Sequence, residues 1–536
     1  MPDGLAALSA MDQMAADVLR RYQRAELDFN RHRSRISACY RYALPWRHGV
    51  DQSQPVDQLD DIYDDILMTV VEDFAADMLN TFTPQKSAWV DLSAVVGLPT
   101  DIATTVNEQV KATQAIVFAE MARSNVYQAL QESYLDLSIG TMALTAQDLD
   151  IADPIHCQAV PMTELRIDRG PYGFVDGRYR KRRLRCEDIR VMWPTCKPPA
   201  GEQWQSNETE HDVVDGVWRD WADRRTEVYH YVVLLDSKLC LKETYSGIGS
   251  CPMIVARWSR DSTTAYGVGP TYRSMPTYQS LNHVRFLLLK KLDEVTDPAF
   301  SYVHDGVMNL DQGVRSGDWI PRAQGSDPPE ALESKGRFDV TWMQADDLTS
   351  AIKRAHYQDR PDQRGKTPPT ATQWADEAAE RQRRMGTPAT NLVVELQQAL
   401  FKRFVFLLLQ RRRIKPLEIT DPETGRPIEA HPLDPRFVSI TPTSPLLRAQ
   451  EQEELIRVIR NAEIPAQLYG PQIAAVTTDI FKTQAKVSRI LGQSDLARDE
   501  KEAEEAIKKI LPVLQTSGGA GAPVNPADLV GGGPNG

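Results

Sequence analysis

No two cysteines of this chain stand close enough to form a C-x-x-C pair: Cys39, Cys157, Cys186, Cys196, Cys240 and Cys251 are scattered through 536 residues. That spacing speaks against zinc modules and against a disulfide framework, and the six are read as reduced, mostly buried thiols. Also missing is any apolar run approaching the roughly 18 residues that a membrane-spanning helix needs; FVFLLLQ is far too short. The opening MPDGLAALSAMDQMAADVLRR has no basic stretch leading into a long apolar core, so a secretory signal is not expected there, and the chain is expected to work in water with no membrane. There is no G-x-x-x-x-G-K-[ST], H-E-x-x-H, G-x-S-x-G or EF-hand loop. On that ground no enzyme, metal or cofactor is expected. Net positive charge is lacking too: at −12 the surface as a whole cannot act as a nucleic-acid glue, and any DNA contact must be local and basic.

What is present is ordinary: 41% hydrophobic and 25% charged residues over a length that suits two or more domains. The fold expected is α+β, mainly helical. Its organising stretch is Trp258 to Pro298, where a Gly/Pro turn launches a helix. Leu281, Val284, Leu288, Leu292 and Val295 follow one helical stripe, while Phe286, Leu287 and Leu289 load other faces. Pro270 and Pro276 suit its first turn and Pro298 its exit. A helix apolar on several sides needs neighbours on two of them. At 1.5 Å per residue roughly 24 residues span about 35 Å, enough for a strut.

Taken in order, residues 5–45 read as a helix stopped by Pro45, and Asp57 to Leu79 as a second helix ending in FAADMLNTFTPQKSAW before the strand-like WVDLSAVV. Residues 101–138 are helical in pattern. Between Thr141 and Arg260 short β-rich runs alternate with turns, a small mixed sheet inserted among helices. Residues 299–345 are punctuated by Gly and Pro and read as a compact β-containing knob. LTSAIKRAHY is a short return helix, and DRPDQRGKTPPTAT a polar, basic loop. Thr370 and Gln373 form a capping box for a long helix interrupted at Gly386 and Pro388 and resumed by Leu392, Val393, Leu396, Leu400, Phe404 and Leu407. Proline-rich loops follow, then helices from Pro445 to about Leu514, then a tail poor in apolar residues.

Few residues bid for chemistry. His211, in NETEHDVVD, is a metal ligand or part of a plain solvated loop. YGVGP lacks the spacing of a nucleotide loop and fits a tight turn at a helix start. The run GRYRKRRLR, with Arg178, Arg180, Lys181, Arg182, Arg183 and Arg185, is a phosphate patch or a solvated hairpin edge defended against strand pairing. Arg360, Arg364 and Lys366 lie in a loop between two helices, which is an exposed connector or a phosphate contact. Arg411, Arg412 and Arg413 complement a helix C-terminus.

Three separated segments together resemble one family. The first is FAADMLNTFTPQKSAW, through Phe74, Ala75, Leu79, Phe82, Pro84 and Trp89; the second is SNVYQALQESYLDLSIGTMAL, through Ser124, Asn125, Tyr127, Gly140 and Leu144; the third is Tyr266, Gly267, Gly269 and Pro270 with the helix behind them. SGDW, TPPTATQW and the kink near Gly386 add less specific support. In order and spacing over most of residues 15–415 the chain is similar to the portal, or head-to-tail connector, proteins of short-tailed double-stranded DNA phages. It departs from them in a longer basic hairpin and in its C-terminal region.

The resemblance implies a portal fold assembled as a cyclic ring, usually a dodecamer, at one capsid vertex of the virion. On that picture residues 1–265 are the wing, with a β-rich part at 141–260; 266–298 is the stem helix, 299–345 the clip, 346–356 the return stem helix and 357–369 the tunnel loop. Residues 370–415 are the long kinked wing helix, 416–515 the C-terminal region and helical crown, and 516–536 a disordered tail. Leu281, Val284, Leu288 and Leu292 would pack between subunits. Gly317, Asp318 and Trp319 would face terminase, and Arg360, Arg364 and Lys366 the DNA. The implied partners are further copies of the chain, double-stranded DNA in the channel, the terminase large subunit, the major capsid protein, a tail adaptor protein, and scaffold or internal core proteins. Assembly would take place in the host cytoplasm, for genome packaging and later ejection. The competing readings are a non-channel capsid adaptor or scaffold, and a helical nucleic-acid-processing enzyme.

Overall fold

The computed structural model describes residues 2–47, 49, 61–149, 153–196, 208–224, 226–296, 300–301, 330–331, 338–358, 384–386, 388–420, 427–443 and 487. Residues 1–447 form one compact unit and 448–536 a second. The loop expected to face a channel, with Arg360, Arg364 and Lys366, the capping box expected at Thr370, the Gly317 to Trp319 segment, the tail, and nearly all of the stretches expected to be clip and crown lie outside the described residues.

The helix expected over 5–45 is α1 (Pro2–Ala43), and the next, α2, runs Ile66–Thr81. The single helix expected over 101–138 is two, α3 (Thr100–Arg123) and α4 (Val126–Ile139). They part at Ser124, which is extended (ψ 170°), and Asn125, whose amide both donates to and accepts from the Cys157 backbone at 2.8 Å. Holding the neighbouring strand costs the helix its continuity.

The described residues of 141–257 carry eight strands and one short helix, α5 (Cys186–Met192). The sheets are two rather than one and are antiparallel throughout, not mixed. β2 (Thr141–Gln147) lies between β3 (His156–Val160) and β9 (Met253–Arg257). The other is a five-stranded meander of β4 (Leu165–Arg169), β5 (Val175–Arg185), β6 (Glu210–Asp220), β7 (Val228–Leu235) and β8 (Lys238–Ser246). Short turns join most neighbours, and short turns leave only antiparallel pairing open.

α6 spans Pro270–Thr296 with Pro276 inside its first two turns, and α7 spans Phe338–Ala355 and packs against it. The helix expected over 346–356 therefore starts well before residue 346, inside the stretch expected to be clip; no Gly or Pro interrupts the chain between Phe338 and Ala355. The helix after Pro388 passes through a π-helical turn (Val393–Gln398) into α8 (Ala399–Gln410). Leu392, Val393, Leu396, Leu400, Phe404 and Leu407 along it are all buried. The proline-rich region beyond it is not only loops. β10 (Leu417–Thr420) pairs with β11 (Pro427–Ala430), and β12 (Val438–Pro442) pairs with β1 (Val90–Ala94), some 350 residues earlier.

Two apolar cores result. One gathers α2, α3, α4, β1, β2 and α8 around Phe74, Trp89, Tyr134, Phe401 and Phe404; the other gathers α1, the five-stranded sheet and the start of α6 around Phe29, Tyr40, Tyr278 and Leu281. Among the described residues no helix is long and apolar enough to cross a membrane.

Candidate functional site

The three segments that carry the family resemblance meet at the base of α6. Gly140 has φ +156°, and a Cβ there would stand 2.2 Å from the Gly267 carbonyl oxygen; one on Gly269 would stand 2.2 Å from the Ser138 oxygen. Backbone lies on backbone, and only glycine permits it. The contact is hydrogen-bonded: Gly269 N–H donates to Ile139 O and Trp258 N–H to Gly140 O, both at 2.9 Å, and Gly267 N–H to Thr141 Oγ1 at 2.9 Å. Phe74 of the first segment meets Trp258 edge to face at 5.1 Å, and Tyr266 is buried with its hydroxyl on Leu165 O. YGVGP is thus the tight helix-start turn expected, with a second use as the seat for α4.

α7 returns to the same place. Thr271 Oγ1, in the first turn of α6, is 3.0 Å from Ser138 Oγ and 3.0 Å from His356 Nε2, while His356 Nδ1 is 2.9 Å from Ile352 O. His356 is fully buried, and burial pushes its imidazole down to about 4, which keeps the ring neutral with Nδ1–H donating to Ile352 O. One further clamp is supplied by the π-helical turn. Glu395 accepts from Arg257 N–H and Nε–H at 3.0 and 3.2 Å, and pairs with Arg257 Nη2. Arg257 is buried, so its charge needs that carboxylate.

The hairpin of α6 and α7 changes character along its length. Near the base Met275, Tyr278 and Leu281 are buried, Tyr278 Oη–H donates to Asp64 O at 2.6 Å, and Asn282 Oδ1 accepts from Tyr63 N–H at 2.7 Å. Farther out Phe286, Leu287, Leu289 and Leu292 are 37, 47, 48 and 53% exposed, and on α7 Trp342 and Met343 are 50 and 68% exposed. Arg285 bridges the two helices, on Asp64 at 2.8 Å and over the Trp342 ring at 5.3 Å.

The residues expected between subunits accordingly divide. Leu281 is fully buried and Leu288 nearly so within one copy, Val284 is half-buried, and Leu292 is open. Leu281 is corrected from an intersubunit position to an internal one: it is fully covered within one copy, where α6 packs against α7, α1, α4 and α2.

The basic run is corrected as well. β5 is an interior strand of the meander, not its edge, and four of its arginines meet partners inside the chain. Arg180 reaches Glu164 at 2.7 Å, Arg182 lies 3.4 Å from Asp215, Arg183 is 3.1 Å from Asp212, and Arg178 donates to Met253 O at 2.5 Å. His211 lies 2.6 Å from Asp236, and no group of three or more His, Cys, Asp or Glu that could hold a metal occurs among the described residues. Arg411 does more than end a helix: it is buried, pairs with Asp148, and donates to Asp153 O at 2.7 Å, while Arg413 reaches Glu120 at 2.7 Å. Cys196 and Cys240 are joined in a disulfide with Cα atoms 5.3 Å apart, against the expectation of six free thiols; the meander brings β8 back to the end of the arm that follows α5. The other four cysteines are free and buried.

Sequence reading missed His356, Glu395 and Arg403. The last is buried in α8, donates to Ala146 O and Ser250 O, and is pushed down to about 10 by burial. The charged pair Lys402 and Arg403 within an apolar helical stretch was the available signal for Arg403; His356 had none.

A model of the family described as bacteriophage head to tail connecting protein matches residues 15–495 of this chain. No curated protein matches it. Among solved structures, a chain from the neck of an empty GTA particle computed with C6 symmetry is similar at 12% identity and a TM-score of 0.34, over 75% of this chain and 88% of that one. A chain from the virion of a native gene transfer agent particle is similar at 12% identity and a TM-score of 0.32, over 72% and 89%.

Proposed function

Because the chain belongs to the bacteriophage head-to-tail connecting protein family, we propose that it is a portal: a closed ring of identical copies, twelve in number, at one vertex of the capsid. The observation that supports this reading most is the outer half of the α6 and α7 hairpin. Six large apolar side chains stand there roughly half exposed on one hairpin, whereas the other exposed ones among the described residues, such as Leu27, Val96, Leu149 and Val191, are scattered along the chain. Burying what remains of them is worth on the order of 5 kcal/mol per copy, and a face on one rod meeting a different face on the next generates a ring when the rotation closes.

In this reading the two helices are the stem and the descending residues between them the clip, where Gly317, Asp318 and Trp319 meet terminase during packaging and the tail adaptor afterwards. Residues 1–265 and the helix through α8 form the wing against the major capsid protein, and residues 448–515 belong to the crown. Arg360, Arg364 and Lys366 face the channel and touch DNA phosphates in passing. A net charge of −12 suits that passage, since an acidic wall holds DNA off by repulsion that salt screens over about 10 Å, and sparse cations guide it without trapping it. The family is a structural one, and the reading gives the chain no catalytic step.

Labelling of assembled particles with an antibody to this chain tests the placement. One label per capsid, at the tail vertex, is expected; label spread over the shell contradicts the reading. Replacing Arg360, Arg364 and Lys366 together by Ala is expected to leave rings intact and to lower packaged DNA. Packaging and retention at the parental level would remove that role from the loop.

A further inference from the structure

The arm formed by α5 and residues 193–196 crosses one face of the five-stranded sheet. It begins beside β5, where Cys186 and Ile189 are buried. Trp193 then lies 5.7 Å from the Arg182 guanidinium of β5 and donates Nε1–H to Tyr231 Oη of β7 at 3.0 Å. Cys196, whose N–H donates to Trp193 O at 2.9 Å, reaches Cys240 on β8, the edge strand.

Two features mark this bond out from an ordinary core staple. The arm and the strand are each held without it, by the buried Ile189 and Trp193 on one side and by the β7 to β8 ladder from Val228 and Ser246 to Leu235 and Lys238 on the other. The two sulfurs are therefore presented to each other by packing alone. β8 is also the most exposed strand of the sheet and, among the described residues, has a partner strand on one side only, so the bond ties an edge strand to the arm that crosses the sheet. An open edge of this kind is a template for pairing with other chains.

We propose that the Cys196 and Cys240 pair is a conditional staple, open while the chain folds and closed later by exchange with a small disulfide. Its timing rests on the connector reading, in which the chain folds in a reducing cytoplasm and ends on a particle outside it. In the first step the thiolate of Cys240, the less buried of the two, attacks one sulfur of oxidised glutathione and expels one glutathione thiolate. In the second the Cys196 thiolate attacks the Cys240 sulfur and expels the other. The chain gives up two electrons and two protons, and the small disulfide takes them up as two thiols. The four remaining cysteines are buried, and Cys39 and Cys157 are pushed up to about 12 by burial, which keeps them out of the exchange.

The full-length chain, purified reduced and then treated with oxidised glutathione, provides the test, read by peptide mass mapping and by hydrogen exchange of residues 238–246. A peptide pair joined through Cys196 and Cys240 is expected only after oxidation, with β8 amides exchanging about tenfold more slowly in the oxidised chain. The double variant Cys196→Ser with Cys240→Ser is expected to fold, to exchange like the reduced chain, and to ignore the oxidant. Failure to form the joined pair, equal exchange in both states, or a bond already complete in chain alkylated inside producing cells would each overturn the staple. None of these readouts depends on a ring: rings lacking the redox-dependent bond sink the staple alone, and the redox-dependent bond in a chain that never forms rings sinks its timing alone.

Discussion

The two halves of α6 follow opposite rules. From Pro270 to Leu281 the helix is seated by glycine contacts, by Thr271, and by Tyr278 on the Asp64 carbonyl, and its large apolar side chains are covered. Beyond it Phe286, Leu287, Leu289 and Leu292 lose that cover, while Leu288 keeps it. One copy completes the first half by itself; on the portal reading neighbouring copies complete the second. Substitutions in the two halves should therefore separate folding from assembly.

The largest effect is expected at the base. Gly269→Val puts methyl groups where Ser138 O already stands 2.2 Å from an added Cβ, and neither backbone can yield. A loss of about 3 kcal/mol or more is expected, seen as insoluble chain or a collapsed urea midpoint. Next comes Leu281→Ala, which empties a fully buried site and is expected to cost roughly 3 kcal/mol in the same assay. A value near zero would return Leu281 to the outer half of the comparison.

Acid probes the base differently. The His356 imidazole sits at about 4 in the folded chain against an ordinary 6.5, so between those values the unfolded chain binds a proton that the folded chain excludes. Its contribution is whole above pH 6.5, is lost as pH falls toward 4, and changes no further below that, a swing of up to roughly 3 kcal/mol. His356→Gln is expected to flatten that limb of the stability against pH curve. An unchanged limb would show that the proton goes elsewhere.

The smallest effect on folding belongs to the outer half. Leu292→Ala removes a side chain that is 53% exposed and is expected to shift the isolated chain by no more than about 0.5 kcal/mol while lowering the yield of assembled rings. Equal losses from Leu292→Ala and Leu281→Ala would erase the contrast.

The same contrast explains what could be read beforehand. α1, β1, α6 and the buried stripe from Leu392 to Leu407 were legible because local periodicity and proline punctuation decide them. The glycines at 140, 267 and 269 were visible as family positions, but their use was not, since it lies in a contact between segments about 130 residues apart. The basic strand was misread for a related reason: Arg180, Arg182 and Arg183 find Glu164, Asp215 and Asp212 on neighbouring strands, and a charge run carries no record of its cross-strand partners. Periodicity also reported that Leu281 and Leu292 share a stripe without saying that the chain covers one end of it.

Electron microscopy of the purified full-length chain beside its Leu287→Asp, Leu289→Asp, Leu292→Asp variant tests the central claim most directly. The account predicts closed rings with an axial hole for the parent and folded single copies for the variant. A parent that stays a stable monomer, or a variant that closes into the same rings, would contradict it.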